Sequence, residues 1–540
     1  MQLSKSNINF GMTFSEALTE YNISHNKSIF EETITIQTIE EDSNLSQDEK
    51  NKLLTILKSD IDPFEKRIKI MRALDKEKEF SSRIALILKE RPDKMKMSKE
   101  IMLIFRDHYT KSDILKKDFG EVLTDLKTVK MMIKEINEDF WKSPYDNNGD
   151  IKKILDTSNG SGIFLWYVIY KFMVGLEDHF EDQNERYKFI IENMIYACEL
   201  QKSKMFNWLC TTDLYDEYDL NAFPGSYLST DFDKCMKEVW NIKKFTLILS
   251  NPPYQELSNA GKSKGGGKGG DNNLWSQFII KSIKICDRLL FINPPSFLSP
   301  NHNVLNSMLE NGGLTYLHVF DKSPFEGVGT QACFYIWENG YNGETKTSSG
   351  NVSLKNGTLP NSSNIKDFVI FDKFFNSNNK KIDFVRTCTL HTDNKKQFIS
   401  KDKSDEFKYE LAVGSKILYA SIKSTNHDDK KIIISRSGYL NPTYDDGNKS
   451  LSESNYYYLI KKQSDTNLIS ILNSKLYKYC LDKSKFSGFF HGQVLKNIPY
   501  ISTSVDWTDD EIFKHFNLSD DLISLIVENT KEIKNKRKKK

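Results

Sequence analysis

The segment whose residue types are best suited to catalysis is Asn251-Pro252-Pro253-Tyr254, which follows the apolar run Phe245–Ser250. A short apolar run of this kind predicts a buried strand, so the four residues are expected in the loop at its carboxyl end. Loops at that edge are where open α/β sheets bind ligands. The two prolines also fit an ordinary turn, because each fixes φ and removes a backbone donor.

The chemistry that suits this segment is the activation of a weakly nucleophilic amine. The lone pair of an exocyclic amine, such as N6 of adenine, is delocalised into the ring. Two acceptors, the Asn251 side-chain oxygen and the Pro252 carbonyl, would return electron density to the nitrogen and stabilise the positive charge that grows during methyl transfer. Pro253 keeps the loop rigid, and Tyr254 offers a ring on which a base taken out of its helix can stack.

A second candidate site lies upstream, where the predicted strand ending at Asp156 leads through Gly160 and Gly162 into an apolar helical segment. Glycines let the backbone approach a ligand, and a helix N-terminus favours its negative groups. The spacing is not GxGxxG, which disfavours a nicotinamide cofactor. Glu199 ends the next predicted strand, at a position from which a carboxylate reaches ribose hydroxyls.

A carboxylate and an aromatic ring, Asp231 and Phe232, precede the 245–250 strand. The carboxylate would accept from an adenine amino group and the ring would cover the face of the adenine. The same pair fits the start of a loop. No metal site is predicted, because the seven cysteines form no CxxC and the nine histidines form no HxxxH or HExxH.

The elements around these motifs predict several structural regions. Apolar residues three and four apart predict a helical N-terminal domain at 1–110. Alternating strands and helices at 111–344 predict a doubly wound, mostly parallel sheet, so this is the catalytic domain of an α/β protein. A Ser/Asn/Gly-rich stretch, 345–397, is expected to be a linker or large loop. A mixed α+β domain at 398–530 and a frayed basic tail at 531–540 follow.

The composition is that of a soluble globular chain. It has 540 residues, 28% charged and 38% hydrophobic, and a net charge of +2, so any surface that binds nucleic acid must be local. The most apolar segment is broken by Lys171 and is too short for a membrane span. The scattered, odd number of cysteines is typical of a reducing cytoplasm, where we expect this protein.

In this order, the motifs resemble those of the γ-class amino-group DNA methyltransferases. Phe119–Thr124 is similar to the family segment GEVFTP, LDTSNGSGIF to LDPACGSGxF, and NPPY to the catalytic loop. The resemblance implies a Rossmann-like domain that transfers methyl groups from S-adenosylmethionine to adenine N6. It implies that Thr124 meets the methionine carboxylate and that Asp156, Gly160 and Gly162 form the cofactor turn. It also assigns Glu199 to the ribose and Asp231 and Phe232 to the cofactor's adenine.

The chain departs from the family pattern at several positions. Asp125 and Thr157 stand where the family has proline, and Thr246 stands where it usually has Asp. None of these changes removes a catalytic group. The family often packs a second aromatic ring on the flipped base after the LLFINPPSF strand, and Phe297 is only a weak candidate for it.

The C-terminal region resembles the target-recognition half of these enzymes at SRSGYLNP, LNSKL and SGFF before LKNIP. The resemblance implies double-stranded DNA as partner and leaves the oligomeric state open. Cations among aromatic rings suit phosphate and base contacts, although each fits a solvated face equally well. The candidates are Arg436, Tyr439, Tyr444, Lys475, Lys485 and Phe489.

Several alternatives remain at this stage. The chain could be a modification subunit that needs a separate specificity partner, a partner of a restriction enzyme, or a methyltransferase acting on a non-DNA amino or amide group. Cytosine N4 is disfavoured because that chemistry more often resembles SPP loops. A nuclease fusion is disfavoured because Pro92-Asp93 is followed by no Glu-x-Lys on a predicted strand. A protein that binds DNA without catalysis is disfavoured by the intact NPPY.

Overall fold

A computed structural model describes residues 33–42, 45–74, 79–90, 92–109, 124–254, 273–325, 331–355, 357–386, 389–392, 395–486 and 489–538. These residues fall into two compact units. The first contains the described residues up to Asn293, with Ser307–Tyr316 and Ser323–Asn342. The second contains Pro294–Asn306, Leu317–Lys322 and the described residues from Gly343 onward.

The first unit is built on a sheet whose strands, in chain order, are β1 (Ile154–Asp156), β2 (Ile195–Cys198), β3 (Asn221–Phe223), β4 (Phe245–Ser250), β5 (Cys286–Asn293), β6 (Gly312–Val319) and β7 (Cys333–Asn339). They lie side by side in the order β3-β2-β1-β4-β5-β7-β6. The first five run parallel, and β7 is antiparallel to β5. The chain winds outward from β1 in both directions, which confirms the predicted doubly wound α/β fold.

Helices cover this sheet, and the one after β1 is apolar on nearly all sides. Ile163–Gly175 buries eight hydrophobic side chains, as expected for a helix packed within a large core. Buried helices let the strands carry continuous apolar runs such as FTLILS. The helices that precede or connect the strands are Leu126–Ile133, Ile163–Gly175, Gln183–Phe189, Lys202–Thr212, Thr230–Lys234, Leu274–Ile285 and Asn303–Asn311.

The N-terminal region is helical, as predicted, but its described helices do not form a unit of their own. The Arg67 guanidinium donates to the Leu214 carbonyl and pairs with Asp216, each at 2.9 Å. The Phe64 ring stacks on Tyr215 with 4.7 Å between centroids. These contacts join the helices to the loop before β3, within the first unit. The helices are Ile36–Glu41, Gln47–Leu57, Pro63–Leu74, Glu79–Lys89 and Lys94–Tyr109.

The second unit is mixed α+β, as predicted. Its strands are β8 (Thr345–Thr347), β9 (Gly350–Val352), β10 (Val385–Arg386), β11 (Ile399–Ser400), β12 (Tyr409–Val413), β13 (Lys416–Ala420), β14 (Lys430–Ser435), β15 (Thr443–Asp446), β16 (Lys449–Leu451) and β17 (Asn455–Leu459). Two four-stranded sheets have the orders β10-β17-β14-β15 and β11-β13-β12-β16. The helices are Ile365–Phe375, Leu468–Asn473, Lys475–Lys483, Gly492–Lys496, Asp509–His515 and Asp520–Lys538.

The structure contradicts the linker expected at 345–397. β8 and β9 pair as an antiparallel hairpin, and Ile365–Phe375 is an amphipathic helix in the main core of the second unit. Phe371 and Phe374 are essentially inaccessible to solvent. The Ser and Asn residues that suggested a linker form the turns between these elements, because their side chains cap backbone N–H groups.

The last predicted region also differs. The Asp520–Lys538 helix continues through most of the segment expected to be a frayed tail, since Lys, Glu and Arg are good helix formers. Residues 539–540 lie outside the described residues. Among the helices that the structure describes, none is long and apolar enough to span a membrane.

Candidate functional site

The two predicted loops meet at the centre of the sheet. β1 and β4 are parallel neighbours, with Asp156 in register with Leu249. The glycine turn therefore leaves the carboxyl end of β1 beside the NPPY loop, which leaves the carboxyl end of β4. This is the point where the strand order reverses, and open α/β sheets bind ligands there.

A chain of short hydrogen bonds connects the two loops. The Ser250 hydroxyl donates to Asp156 Oδ1 at 2.9 Å, and the Ser158 hydroxyl lies 2.6 Å from the Ser250 hydroxyl. Ser158 Oγ is also 3.2 Å from the backbone carbonyl of Asn251. The Ser158 N–H donates to Asp156 Oδ1 at 3.0 Å. The turn after β1 thus holds the first residue of the NPPY loop.

Asp156 has unusual electrostatics. The side chain is inaccessible to solvent, and burial raises the pKa of its carboxyl from 3.8 to about 7. Hydrogen bonds from Ser158 and Ser250 oppose this rise, and the nearby Glu199 carboxylate adds to it. A buried carboxyl whose pKa lies near neutrality is a common feature of functional sites.

Glu199 reaches back to the glycine turn from the end of β2. Its Oε2 accepts from the Gly160 N–H at 2.7 Å, and its Oε1 accepts from the Gln201 N–H at 2.8 Å. The structure thus brings Glu199 to the glycine turn, where backbone donors fix its carboxylate. Its role toward a ribose stays a prediction.

The turn requires glycine at position 162 on two grounds. Gly162 has φ +86°, and a Cβ added there would lie 2.2 Å from Cδ1 of Trp208.

In the same turn, Asn159 is 4% exposed, and neither polar atom of its side chain has a hydrogen-bond partner among the described residues. A buried amide without partners is costly, so it indicates a place for a polar ligand.

Thr124 lies next to the NPPY loop. The Asn251 amide nitrogen donates to Thr124 Oγ1 at 3.0 Å, and Thr124 is 5% exposed. Asp125 caps the following helix by accepting from the Thr128 N–H at 2.7 Å. The resemblance assigned Thr124 to a methionine carboxylate, and this remains a prediction. The other residues of the GEVLT motif, 119–123, lie outside the described residues.

The aromatic ring found beside Tyr254 is Phe325, whereas the sequence suggested Phe297. The rings of Tyr254 and Phe325 meet edge to face, with 6.5 Å between centroids. Burial raises the pKa of the Tyr254 hydroxyl well above its usual range. Phe297, the weak candidate for the second aromatic, is inaccessible to solvent, and Phe325 is nearly so at 5% exposed. Phe325 is the better candidate because its ring contacts Tyr254. Pro252 is buried and Pro253 is exposed.

The arrangement of Asp231 and Phe232 does not match the predicted pair of contacts with an adenine. Both lie on the Thr230–Lys234 helix, where Asp231 pairs with Lys234 at 3.8 Å. Phe232 is fully buried against Tyr227, 4.8 Å away between ring centroids. Its ring has no exposed face in this conformation, which does not support the predicted contact with an adenine. The role of Asp231 stays a prediction.

Three residues of the site escaped the sequence reasoning. Ser158 lies inside the glycine-turn motif and Ser250 ends the strand before NPPY, but nothing in the local pattern shows that their hydroxyls meet. Phe325 lies outside both motifs, in the connection between β6 and β7, and no local pattern links it to the NPPY loop. No group of His, Cys, Asp or Glu in the described part of the chain could hold a metal ion.

The fold and the site define a Rossmann-like α/β protein whose NPPY loop and glycine turn meet at the switch point of the sheet. Residues 55–325, half of the chain, match the family described as Eco57I restriction-modification methylase. The chain belongs to this family.

Individual relatives are more distant. The chain is 27% identical over 134 residues to an uncharacterized adenine-specific methylase of Mycoplasma pneumoniae. The match spans 23% of this chain and about a third, 31%, of that protein.

Two solved structures are similar to this chain. One is a nuclease-deletion mutant of the Type ISP restriction-modification enzyme LlaGI with a DNA substrate mimic (TM-score 0.45, 11% identity, 82% of this chain and 65% of that one). The other is the Type IIL restriction-modification enzyme MmeI with DNA (TM-score 0.41, 12% identity, 72% of this chain and 67% of that one).

Proposed function

We propose that this chain is a site-specific DNA adenine-N6 methyltransferase that uses S-adenosylmethionine. The observation that carries the proposal is the position of the NPPY loop at the switch point, where Thr124 and Ser158 hold Asn251 beside the glycine turn. Membership of the restriction-modification methylase family supports it. The catalytic domain is assigned to 111–344, together with the N-terminal helices that pack on it.

The residues of the loop perform the activation. The side-chain oxygen of Asn251 and the carbonyl of Pro252 accept hydrogen bonds from the two amine hydrogens of an extruded adenine. Each acceptor raises the electron density on nitrogen and stabilises its developing positive charge. The Tyr254 ring stacks on the base, and Phe325 supports that ring from its edge. Pro253 contributes rigidity, because its φ is fixed.

The turn after β1 fits S-adenosylmethionine. The unpartnered amide of Asn159, in the turn that begins at Asp156, is a buried polar group that a polar ligand can satisfy, among the residues described. Glu199 retains lone pairs for ribose hydroxyls, and Thr124 retains its hydroxyl for the methionine carboxylate. The bound cofactor supplies an electrophilic methyl group on a sulfonium centre.

We assign DNA target recognition to 398–530 within the second unit. Its strongest candidate surface is a cation–aromatic cluster of Arg436, Tyr439, Lys485 and Phe489. The Arg436 guanidinium lies 5.7 Å from the Phe489 ring centroid, and Lys485 Nζ lies 5.1 Å from that of Tyr439. Phe489 is 56% exposed and Tyr439 41% exposed. Rings and cations at one surface suit contacts with bases and phosphates.

Two other predicted DNA contacts lie outside this cluster. Lys475 pairs with Asp509 at 2.8 Å, and the Tyr444 hydroxyl donates to Asp446 at 2.8 Å. Lys485 also has a local partner, Asp482 at 3.1 Å, so the cluster is favoured because its cations lie against exposed rings. We therefore place the first contacts of the recognition unit at the cation–aromatic cluster.

The partner is double-stranded DNA in the cytoplasm, and a restriction or specificity protein can complete the system. The test is transfer of labelled methyl groups from S-adenosylmethionine to unmethylated DNA by the purified chain, followed by nucleoside analysis. Asn251→Ala should lower the rate by about 10²- to 10³-fold, the usual effect of losing one such polar group. Asn147→Ala, in an exposed turn before β1, is the matched control and should keep full activity.

The outcomes separate the alternatives. N6-methyladenine that disappears in N251A and persists in N147A supports the proposal. Transfer that appears only after a specificity protein is added supports the modification-subunit alternative. Cofactor binding without transfer to any DNA, together with methylation of an amine or amide in another substrate, overturns the proposal.

A further inference from the structure

The hydroxyl chain between the two loops has too few protons for all its contacts when Asp156 is ionised. A serine hydroxyl carries one proton, and a carboxylate carries none. Ser250 must then donate to Asp156 Oδ1. The 2.6 Å contact between the Ser158 and Ser250 hydroxyls also needs a proton, and only Ser158 can supply it. The Ser158 proton is then directed at Ser250, so the Asn251 carbonyl, 3.2 Å from Ser158, accepts only a weak hydrogen bond from Ser158.

The count changes when Asp156 is neutral. Its proton is best placed on Oδ1, because Ser250 is an acceptor there, whereas Oδ2 has no partner in the described structure. Oδ1 then donates to Ser250, Ser250 donates to Ser158, and Ser158 donates to the Asn251 carbonyl. Each of the three contacts then contains a proton, so the neutral state makes one more full hydrogen bond than the ionised state.

The last bond of this chain acts on the geometry of the catalytic loop. The Asn251 carbonyl belongs to the peptide bond with Pro252, which is planar. Fixing the direction of this carbonyl therefore fixes the peptide plane between the two residues that are proposed to hold the target amine. Small errors in such acceptors are costly, because activation depends on their alignment.

We propose that Ser158 is a positioning residue, which aligns the catalytic loop by donating its hydroxyl proton to the Asn251 carbonyl at the end of a chain that begins at neutral Asp156. The inference rests on the proposed methyl transfer and deepens it. Ser158 itself touches neither the target amine nor the cofactor in this account.

The protonation state of Asp156 determines whether all three hydrogen bonds form. Burial places the pKa of this carboxyl at about 7. The titratable groups that face it are Glu199, at the end of β2, and the buried Cys198 next to it. Because the Asn251 carbonyl is fixed in the neutral state, kcat should fall as the pH rises through the titration of Asp156.

The test compares three variants in steady-state methyl transfer between pH 6 and 8.5. Ser158→Ala removes the last donor, and alanine is the residue at this place in the family turn LDPACGSG, so the fold is retained. We expect kcat to fall about ten-fold at pH 6, the effect of one net hydrogen bond, with the KM for S-adenosylmethionine unchanged. Ser158→Thr keeps the hydroxyl and should restore most of kcat. Ser250→Ala disconnects Asp156, so kcat should lose its pH dependence.

The failure of this inference is distinct from the failure of the proposed function. Wild-type kcat in S158A, or a fall in S158A that S158T does not reverse, overturns the role of Ser158. The absence of methyl transfer by the wild-type chain, with any partner, overturns the proposed function instead. In that case, crystal structures of the wild type and S158A at pH 6 decide the inference. An Asn251 carbonyl with the same direction in both would refute it.

Discussion

The buried carboxyl of Asp156 makes a quantitative prediction about stability. Its pKa is raised from 3.8 to about 7, mainly by burial, so between these two values the folded state binds more protons than the unfolded state. The free energy of unfolding therefore decreases as the pH rises through this window. The cost is absent below about pH 4 and complete above about pH 7. The interval corresponds to about 4 kcal/mol, which is an upper bound.

Asp156→Asn removes the titration while keeping an oxygen that can accept from Ser158 and Ser250. We expect the stability of D156N relative to the wild type to rise by about 3 kcal/mol between pH 4.5 and pH 8, because about 1 kcal/mol of the cost is already present at pH 4.5. The amide cannot donate from that oxygen, so the gain in stability should accompany a lower kcat. Asp178→Asn, at an exposed position, is the matched control and should show no such difference between the two pH values.

The assay is urea-induced unfolding followed by tryptophan fluorescence at both pH values. Six of the seven tryptophans, all except Trp507, lie in the first unit, so the signal reports on the unit that contains Asp156. An equal effect of D156N at pH 4.5 and pH 8 would refute the reasoning from burial. A destabilising effect confined to pH 8 would show that the ionised carboxyl is a favourable group in the fold.

Other substitutions test separate parts of the structure. Gly162→Ala should destabilise the first unit by about 3 kcal/mol, seen as a lower melting temperature, because its Cβ would overlap Trp208 at a positive φ. Phe325→Ala should lower kcat/KM for DNA about ten-fold with unchanged affinity for S-adenosylmethionine, since it removes the ring beside the proposed stacking platform. Lys431→Met should destabilise the second unit by about 3–5 kcal/mol in calorimetry without affecting cofactor binding, because it leaves Asp445 buried and uncompensated.

The sequence alone was sufficient for β1 and β4, the central strands of the sheet. The run FTLILS before NPPY predicted β4, and the glycine turn after ILD predicted β1 and its helix. These elements were readable because buried parallel strands consist of short apolar runs and because glycine and proline mark their ends. The doubly wound order then follows from the alternation of strands and helices, which places both motifs at the same edge.

Local sequence patterns led to wrong expectations where a segment of polar composition contains buried residues. The Ser/Asn-rich segment at 345–397 contains the Ile365–Phe375 helix, whose buried phenylalanines belong to the core of the second unit. Polar residues around a short helix dilute its apolar signal. The N-terminal helices were predicted as helices, but their association with the sheet depends on contacts such as Arg67 with Leu214, 147 residues apart.

The site shows the same division. The residue types in NPPY and in the turn after β1 determine which chemistry is available, because amide and carbonyl acceptors, glycines and an aromatic ring are local properties of the chain. Only the tertiary structure decides which of them meet. Ser158 and Asn251 are 93 residues apart, and Phe325 reaches Tyr254 from another strand connection. Hydrogen bonds and ring contacts depend on distances of a few ångströms. The pairing of β1 with β4 brings Ser158 to Asn251, and the position of the β6–β7 connection brings Phe325 to Tyr254, so no pattern along the chain decides either contact.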